Sequence, residues 1–242
     1  MFPIHDENPI RIIPYVTYTI MACCIGAFLW QVTQPQDAQN VIVYALGAIP
    51  AVLFGGYELD PELVWVPSIV TVFSSMFLHG GWMHLIGNML YLWVFGNNIE
   101  AAMGHVRFVI FYALCGVGAV LAQALPDTSS QIPMIGASGA ISGVLGAYML
   151  LYPMARVTVI IPIFIMIQRI KIPALFVLGV WFLMQLYSSF TSNSEGGGVA
   201  FGAHIGGFIA GMILVPLFKY RKIPLQIPFV HFNPTTSFRK NR

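Results

Sequence analysis

Charge is scarce in this chain: only 8% of its 242 residues are Asp, Glu, Lys or Arg, against roughly 25% in a soluble domain. So few ionic groups cannot cover a water-facing surface, which excludes an ordinary soluble enzyme. Cysteine is sparse too. The three thiols, Cys23, Cys24 and Cys115, lie in apolar runs, and an odd count without metal-like spacing favours buried thiols over disulfides or zinc. Internal repeats and a second domain are lacking. Met1–Arg11 contains acidic residues and has no basic, apolar and cleavage-site layout, so no removable signal peptide is expected. The formal net charge of +2 is by itself uninformative, and the basic residues, read as holding topology through anionic lipid, need no nucleic-acid partner.

What the chain has is hydrophobic length. With 57% apolar residues it is long enough for about six membrane spans of ~20 residues each. The spans fall at about 15–32, 76–95, 106–125, 135–152, 173–190 and 199–218, separated by the Pro, Gly, Asn and charged residues expected of turns. We therefore expect an all-α membrane protein, a six-transmembrane-helix bundle over residues 1–220, with a polar basic tail over 221–242. Two further apolar runs, Val41–Gly56 and Val157–Ile167, are short and carry the same charge sign at both ends. They read as segments lying in the interface or dipping into the protein.

Six spans with the N-terminus inside place all eleven Lys and Arg residues in the cytoplasm: Arg11, Arg107, Arg156, Arg169, Lys171 and the C-terminal six. Asp37, Glu58, Asp60, Glu62, Asp127 and Glu195 fall outside, with no basic residue among them. Both termini are then cytoplasmic, and Lys219, Arg221 and Lys222 meet the anionic lipid of the inner leaflet. Spans two, four and six run inward from the outer face, so their early residues share one depth.

At that depth lie His84 and Asn88 in span two, Ser138 at the start of span four and His204 in span six. A serine hydroxyl becomes a competent nucleophile when an imidazole takes its proton. Gly139 and Gly143 on one span, with Gly202, Gly206, Gly207 and Gly211 on the other, would let the two backbones come close. No carboxylate lies in the outer halves of the spans, so the expected unit is a Ser138–His204 dyad and not a triad. His84 and Asn88, four apart and on one helical face, can donate to a tetrahedral oxyanion together with the Ser138 N–H. Each residue also has a plainer reading. Ser138 between glycines is a packing residue, His204 a structural, proton-relay or substrate-site histidine, and Asn88 an interhelical hydrogen-bonding group. His79 reads as structural. A zinc site of His79, His84 and His204 would lack the His-Glu-x-x-His spacing and any nearby acidic or Cys ligand, so neither metal nor other cofactor is expected.

Together these residues resemble the rhomboid family of intramembrane serine proteases. Gly136-Ala137-Ser138-Gly139 looks like the family's nucleophile motif, and Ala203-His204-Ile205-Gly206-Gly207 like its catalytic-histidine helix. His79-Gly80-Gly81-Trp82-Met83-His84 followed by Asn88 is similar to its second span, and the likeness continues through Phe95-Gly96-Asn97-Asn98-Ile99-Glu100 to Tyr112. The chain departs from the pattern twice. Trp65 is followed by Val66 where some members carry a Trp-Arg pair, and Ser142 stands where the family often has an aromatic ring against the histidine.

The resemblance implies a serine endopeptidase of a plasma membrane, in a bacterium, cutting transmembrane-protein substrates in or next to their spans near the outer face. It also implies that Trp181, Phe182 and Gln185 of span five could line a lateral entrance, although lipid-facing packing fits each of them as well. Ser188–Gly198 reads as a lid or as an ordinary connector. Glu100 and Arg107 read as surface groups at the inner face. The alternative from a different class is a catalytically silent rhomboid-like protein that binds and escorts membrane proteins. A transporter would be expected to carry an intramembrane carboxylate.

Overall fold

A computed structural model describes residues 2–10, 12–163, 166–191 and 200–226. The centre of the fold is α8 (Ser138–Leu151), whose small-residue sequence lets neighbours surround it: eleven of its 14 residues are buried. Its packing partners α7 (His105–Ala124) and α10 (Phe201–Phe218) are long and apolar enough to cross a membrane, as are α1 (Tyr15–Val32) and α9 (Ala174–Thr191). At about 1.5 Å per residue α8 spans only ~21 Å, less than the ~30 Å of a bilayer's hydrocarbon. The outer helices show the opposite pattern. On α9 only Ala174, Val177 and Leu178 are buried, and Phe176, Leu183, Tyr187 and Phe190 are exposed. An exposed apolar face of that extent belongs in lipid.

The second span is not the continuous helix expected over 76–95. Residues Ser68–Phe77, which begin with α4 (Ser68–Ser74), and residues Trp82–Met103 meet at an 84° bend. Leu78-His79-Gly80-Gly81 ends the first piece, because paired glycines favour leaving the helix. The second piece comprises α5 (Trp82–Tyr91), a wider π turn at Leu92–Gly96 and α6 (Asn97–Met103). Upstream, the run at 41–56 folds as the end of α2 (Gln36–Leu46) and a short α3 (Pro50–Leu53). Ser74 Oγ on α4 donates to the Leu46 carbonyl of α2 at 2.7 Å.

The all-α expectation needs correcting. Strands β1 (Phe2–Asp6), β2 (Arg156–Ile163) and β3 (Met166–Pro173) form an antiparallel sheet in the order β1-β2-β3. Phe2 pairs with Ile160 and Asp6 with Val157, and Arg156 pairs with Pro173. Hence the described part of this run is a strand of a hairpin, and its inward-facing Val157 and Val159 agree with a segment that dips into the protein. Its Val-Thr-Val-Ile-Ile composition suits the pleated surface, and it alternates: Val157 and Val159 are fully buried between more exposed neighbours. Lys171 of β3 forms an ion pair with Glu7, which holds the Glu7 carboxyl below its ordinary pKa. Asp6 ties the sheet to the bundle. Its carboxylate accepts from Tyr148 Oη of α8 at 2.5 Å and from Asn98 Nδ2 of α6 at 2.8 Å. Burial raises the Asp6 pKa, against the opposing effect of the Tyr148 hydrogen bond.

Glu100 also overturns its sequence reading. It is fully buried and caps α1 from a distance. The Val16 and Thr17 N–H groups, free in the first turn, donate to its two oxygens at 2.9 and 2.8 Å, and Thr17 Oγ1 adds a third bond at 2.7 Å. A carboxylate at the positive end of a helix dipole is favourable, and Nδ1 of the exposed His105 lies 2.6 Å from Glu100 Oε1. Arg107 does stay exposed, over the Tyr220 ring.

Glu100→Ala strips several buried donors of their acceptor at once. Loss of about 3–5 kcal/mol is expected, read as lowered resistance to denaturant in detergent micelles. Glu100→Gln, which keeps one oxygen, should lose less.

Candidate active site

Ser138 is the first residue of α8, and the N–H groups of Ser138, Gly139 and Ala140 precede the first backbone bond of the helix, from Ile141 N–H to the Ala137 carbonyl at 3.0 Å. Free donors and the positive end of the dipole therefore surround the hydroxyl. The approach to α8 is fixed on both sides. Met134 and Ala48 exchange backbone bonds at 2.8 and 3.0 Å, and Gly136 N–H donates to the Ser75 carbonyl at 2.8 Å. Gly136 turns the chain into the helix with φ +122°, a conformation that a side chain strongly disfavours.

His204 lies in the first turns of α10, where Gln123 Oε1 of α7 accepts from the Ala203 N–H at 3.1 Å and sets the start of that helix. Its Nε2 is 2.8 Å from Ser138 Oγ. The two side chains are 66 residues apart in sequence and in direct hydrogen-bond contact. On the far side of the ring, Nδ1 is 2.7 Å from Gln185 Oε1.

His84 Nδ1 accepts from the Gly80 N–H at 3.3 Å, which leaves the proton on Nε2 and makes that atom a donor. A Cβ built on Gly136 would lie 2.6 Å from His84 Nε2 and 3.6 Å from Ser138 Oγ, so both atoms border the same small space. Asn88 follows one turn later on α5, buried, and its Nδ2 has no partner among the described residues. A buried amide with an unused donor has a strong preference for an incoming acceptor. His79 is fully buried, with Nδ1 donating to the Phe77 carbonyl at 3.2 Å and its ring 5.1 Å from that of His84. It braces His84 at the bend. No group of three or more His, Cys, Asp or Glu side chains among the described residues is arranged to hold a metal ion.

Ser142, in the position of the missing aromatic, is buried and donates to the Ser138 carbonyl at 2.6 Å. Support for the imidazole comes from another helix. The Trp181 ring of α9 lies 5.9 Å from that of His204, tilted by 35°, and the Phe201 ring stands edge-on at 6.4 Å. Trp181 and Phe182 pack on Phe208 of α10, so neither is simply a lipid-facing side chain. The contact of Gln185 with His204 is the feature that sequence reasoning missed. Its signal was an amide inside an apolar span, where polar groups are costly and have a partner. Of the expected lid, only the portion that ends α9 is described, and residues 192–199 lie outside the described residues. So do Arg11 and residues 227–242 of the tail.

These features define a polytopic helical membrane protein with a serine–histidine pair where two closely packed helices begin. A family model, the Rhomboid domain, matches residues 67–221, more than half of the chain, and the chain belongs to the rhomboid family. It is 33% identical over 141 residues to RHOMBOID-like protein 5 of Arabidopsis thaliana, covering 58% of this chain and 41% of that protein. Similarity to Rhomboid protein 1, mitochondrial, of Saccharomyces cerevisiae is 27% over 209 residues, covering 78% and 55%. Rhomboid-like protease 5 of Toxoplasma gondii is 30% identical over 183 residues, which cover 73% of this chain and 18% of that protein. The chain thus spans about half or less of the length of each of these relatives.

Gly136→Ala and Gly87→Ala should move stability in opposite directions. The first puts a methyl group into His84 at a positive φ, for a loss of about 1–3 kcal/mol. The second has open space on a helix and should gain up to about 1 kcal/mol. Thermal unfolding in one detergent measures both.

Proposed function

We propose that this protein is an intramembrane serine endopeptidase that hydrolyses peptide bonds in or next to the transmembrane segments of other membrane proteins. The 2.8 Å contact of Ser138 Oγ with His204 Nε2 carries the reading, at a helix start with free N–H donors. Family membership and the protease named among the relatives add to it.

In the proposed reaction His204 Nε2 takes the Ser138 proton as Oγ attacks the scissile carbonyl carbon. The oxygen becomes an oxyanion held by the Ser138 N–H, His84 Nε2–H and Asn88 Nδ2. The imidazolium then gives its proton to the leaving amine, and an acyl-enzyme on Ser138 remains. Water, deprotonated by His204, attacks that ester and releases the new carboxylate. A substrate helix hides its carbonyls in its own hydrogen bonds, so a locally unwound segment with Gly, Pro or other small residues is the expected target.

We further propose six membrane passages with both termini in the cytoplasm, counting the bent pair and α8 as passages, in agreement with the distribution of Lys and Arg. The shortness of α8 then sinks Ser138 below the outer boundary. A bacterial plasma membrane is the proposed address, carried over from the family resemblance, while the charge distribution fixes only the orientation. The three relatives named above are eukaryotic, and one of them carries a mitochondrial name; family membership and the apolar helices support a multi-pass membrane location.

Reconstitution with a single-span reporter tests the reading. Wild-type protein should cut the reporter within or beside its span, and Ser138→Ala and His204→Ala should each lose about 10³-fold or more in rate without loss of helix content. Undiminished proteolysis by Ser138→Ala refutes the assignment. A wild-type protein that binds the reporter without cutting it is instead an escort.

A further inference from the structure

The atom that orients His204 is on α9. Gln185 Oε1 lies 2.7 Å from His204 Nδ1, and Gln185 Nε2 donates to the Trp181 carbonyl at 3.4 Å, one turn back on the same helix. A carboxamide has one accepting oxygen and one donating nitrogen. With the nitrogen committed to a backbone carbonyl, the oxygen is the atom that faces the imidazole. An oxygen only accepts, so His204 Nδ1 carries the ring's single proton and Nε2 is left bare. Bare Nε2 is the acceptor that Ser138 Oγ–H needs at 2.8 Å. The direction of every proton in this row is therefore set by the Trp181 carbonyl.

We propose that Gln185 is the positioning residue of the site, fixing the tautomer and tilt of His204 as a neutral third member behind the dyad. This rests on the proteolytic reading for its kinetic consequence, while the tautomer itself does not. The need for it follows from Ser142, whose hydroxyl is committed to the Ser138 carbonyl and offers the imidazole nothing. Trp181 supplies a ring beside His204 and the carbonyl that locks Gln185, so both supports come from one turn of α9. A neutral partner orients the ring without adding a buried negative charge, which an apolar site tolerates poorly.

The test uses the full chain labelled with ¹⁵N-histidine in detergent micelles at pH 8, with the His204 signals assigned by their loss in His204→Asn. Wild-type His204 should be protonated at Nδ1 alone. In Gln185→Met, of similar length and without the acceptor, the two tautomers should mix. The kcat for reporter cleavage should then fall on the order of 10²-fold with KM little changed. That is less than the ~10⁴-fold cost of enforcing the wrong tautomer in a serine-protease triad, because the correct form is still sampled. Gln185→Glu restores an acceptor oxygen at the same point and should recover the Nδ1-protonated ring. Its kcat should recover only in part, because the variant adds the buried charge that the amide avoids. A wild-type ring protonated at Nε2 overturns the proposal whether or not any variant folds, as does a Met variant with unchanged tautomer and kcat. A wild-type protein with the expected tautomer and no proteolysis would sink the enzymatic reading and leave the positioning role standing.

Discussion

The structure depends on backbones meeting without side chains between them. A Cβ on Gly207 would collide with the Gly139 carbonyl, one on Gly211 with the Gly143 carbonyl, and one on Gly146 with the Phe208 carbonyl. On the other flank, a Cβ at Gly139 would stand 2.6 Å from Ala119 Cβ and one at Gly118 2.8 Å from Ala210 Cβ. Helices α7, α8 and α10 thus lock along rows of small residues spaced by one turn. In lipid there is little hydrophobic gain from pairing helices, and close van der Waals contact with backbone C–H···O approach is what holds them. The same contact solves a problem of reach. A serine side chain is short, and only helices this close put its hydroxyl against an imidazole on the neighbouring helix.

Rigidity is concentrated on that interface and at the opposite end of the bundle. Tyr148, ten residues beyond Ser138 and about 15 Å down the same helix, binds Asp6 of the sheet. Glu100 pins the start of α1 nearby through three hydrogen bonds. By contrast, α9 buries few of its residues, yet supplies Trp181 and Gln185 to the histidine. The proposed nucleophile and base stand on the tight interface, whereas the support for the base arrives on the loosely packed helix.

Much of this was legible in the residues. Apolar runs of helical length gave the main helices, and the Gly-Ala-Ser-Gly and Ala-His-Ile-Gly-Gly segments gave a serine and a histidine that the structure sets in hydrogen-bond contact. The rhomboid resemblance agrees with the family that the chain belongs to. The misses have physical causes. Apart from Thr158, Val157–Ile167 is apolar, so its period of two is masked unless burial is known, and its β1 partner lies over 150 residues earlier. The bend at Leu78–Gly81 falls inside an otherwise continuous hydrophobic pattern. Glu100 looked like a surface charge because its partners are backbone N–H groups at the start of α1, which carry no sequence signature. Gln185 was noticed as an entrance-lining residue, but which face of α9 meets His204 is decided by packing alone.

The central claim is that glycine-mediated backbone contact between α8 and α10 holds the hydroxyl and the imidazole together. It is tested most directly by the rate at which a fluorophosphonate modifies Ser138, mapped by mass spectrometry, in wild type and in Gly211→Leu. Gly211 lies two turns from His204 and touches Gly143, so the substitution forces the helices apart without altering the site's own chemistry. Selective labelling of Ser138 in the wild type, falling at least about 10-fold in a variant with unchanged helix content, is the predicted result. Wild-type reactivity at Ser138 in folded Gly211→Leu would contradict the account.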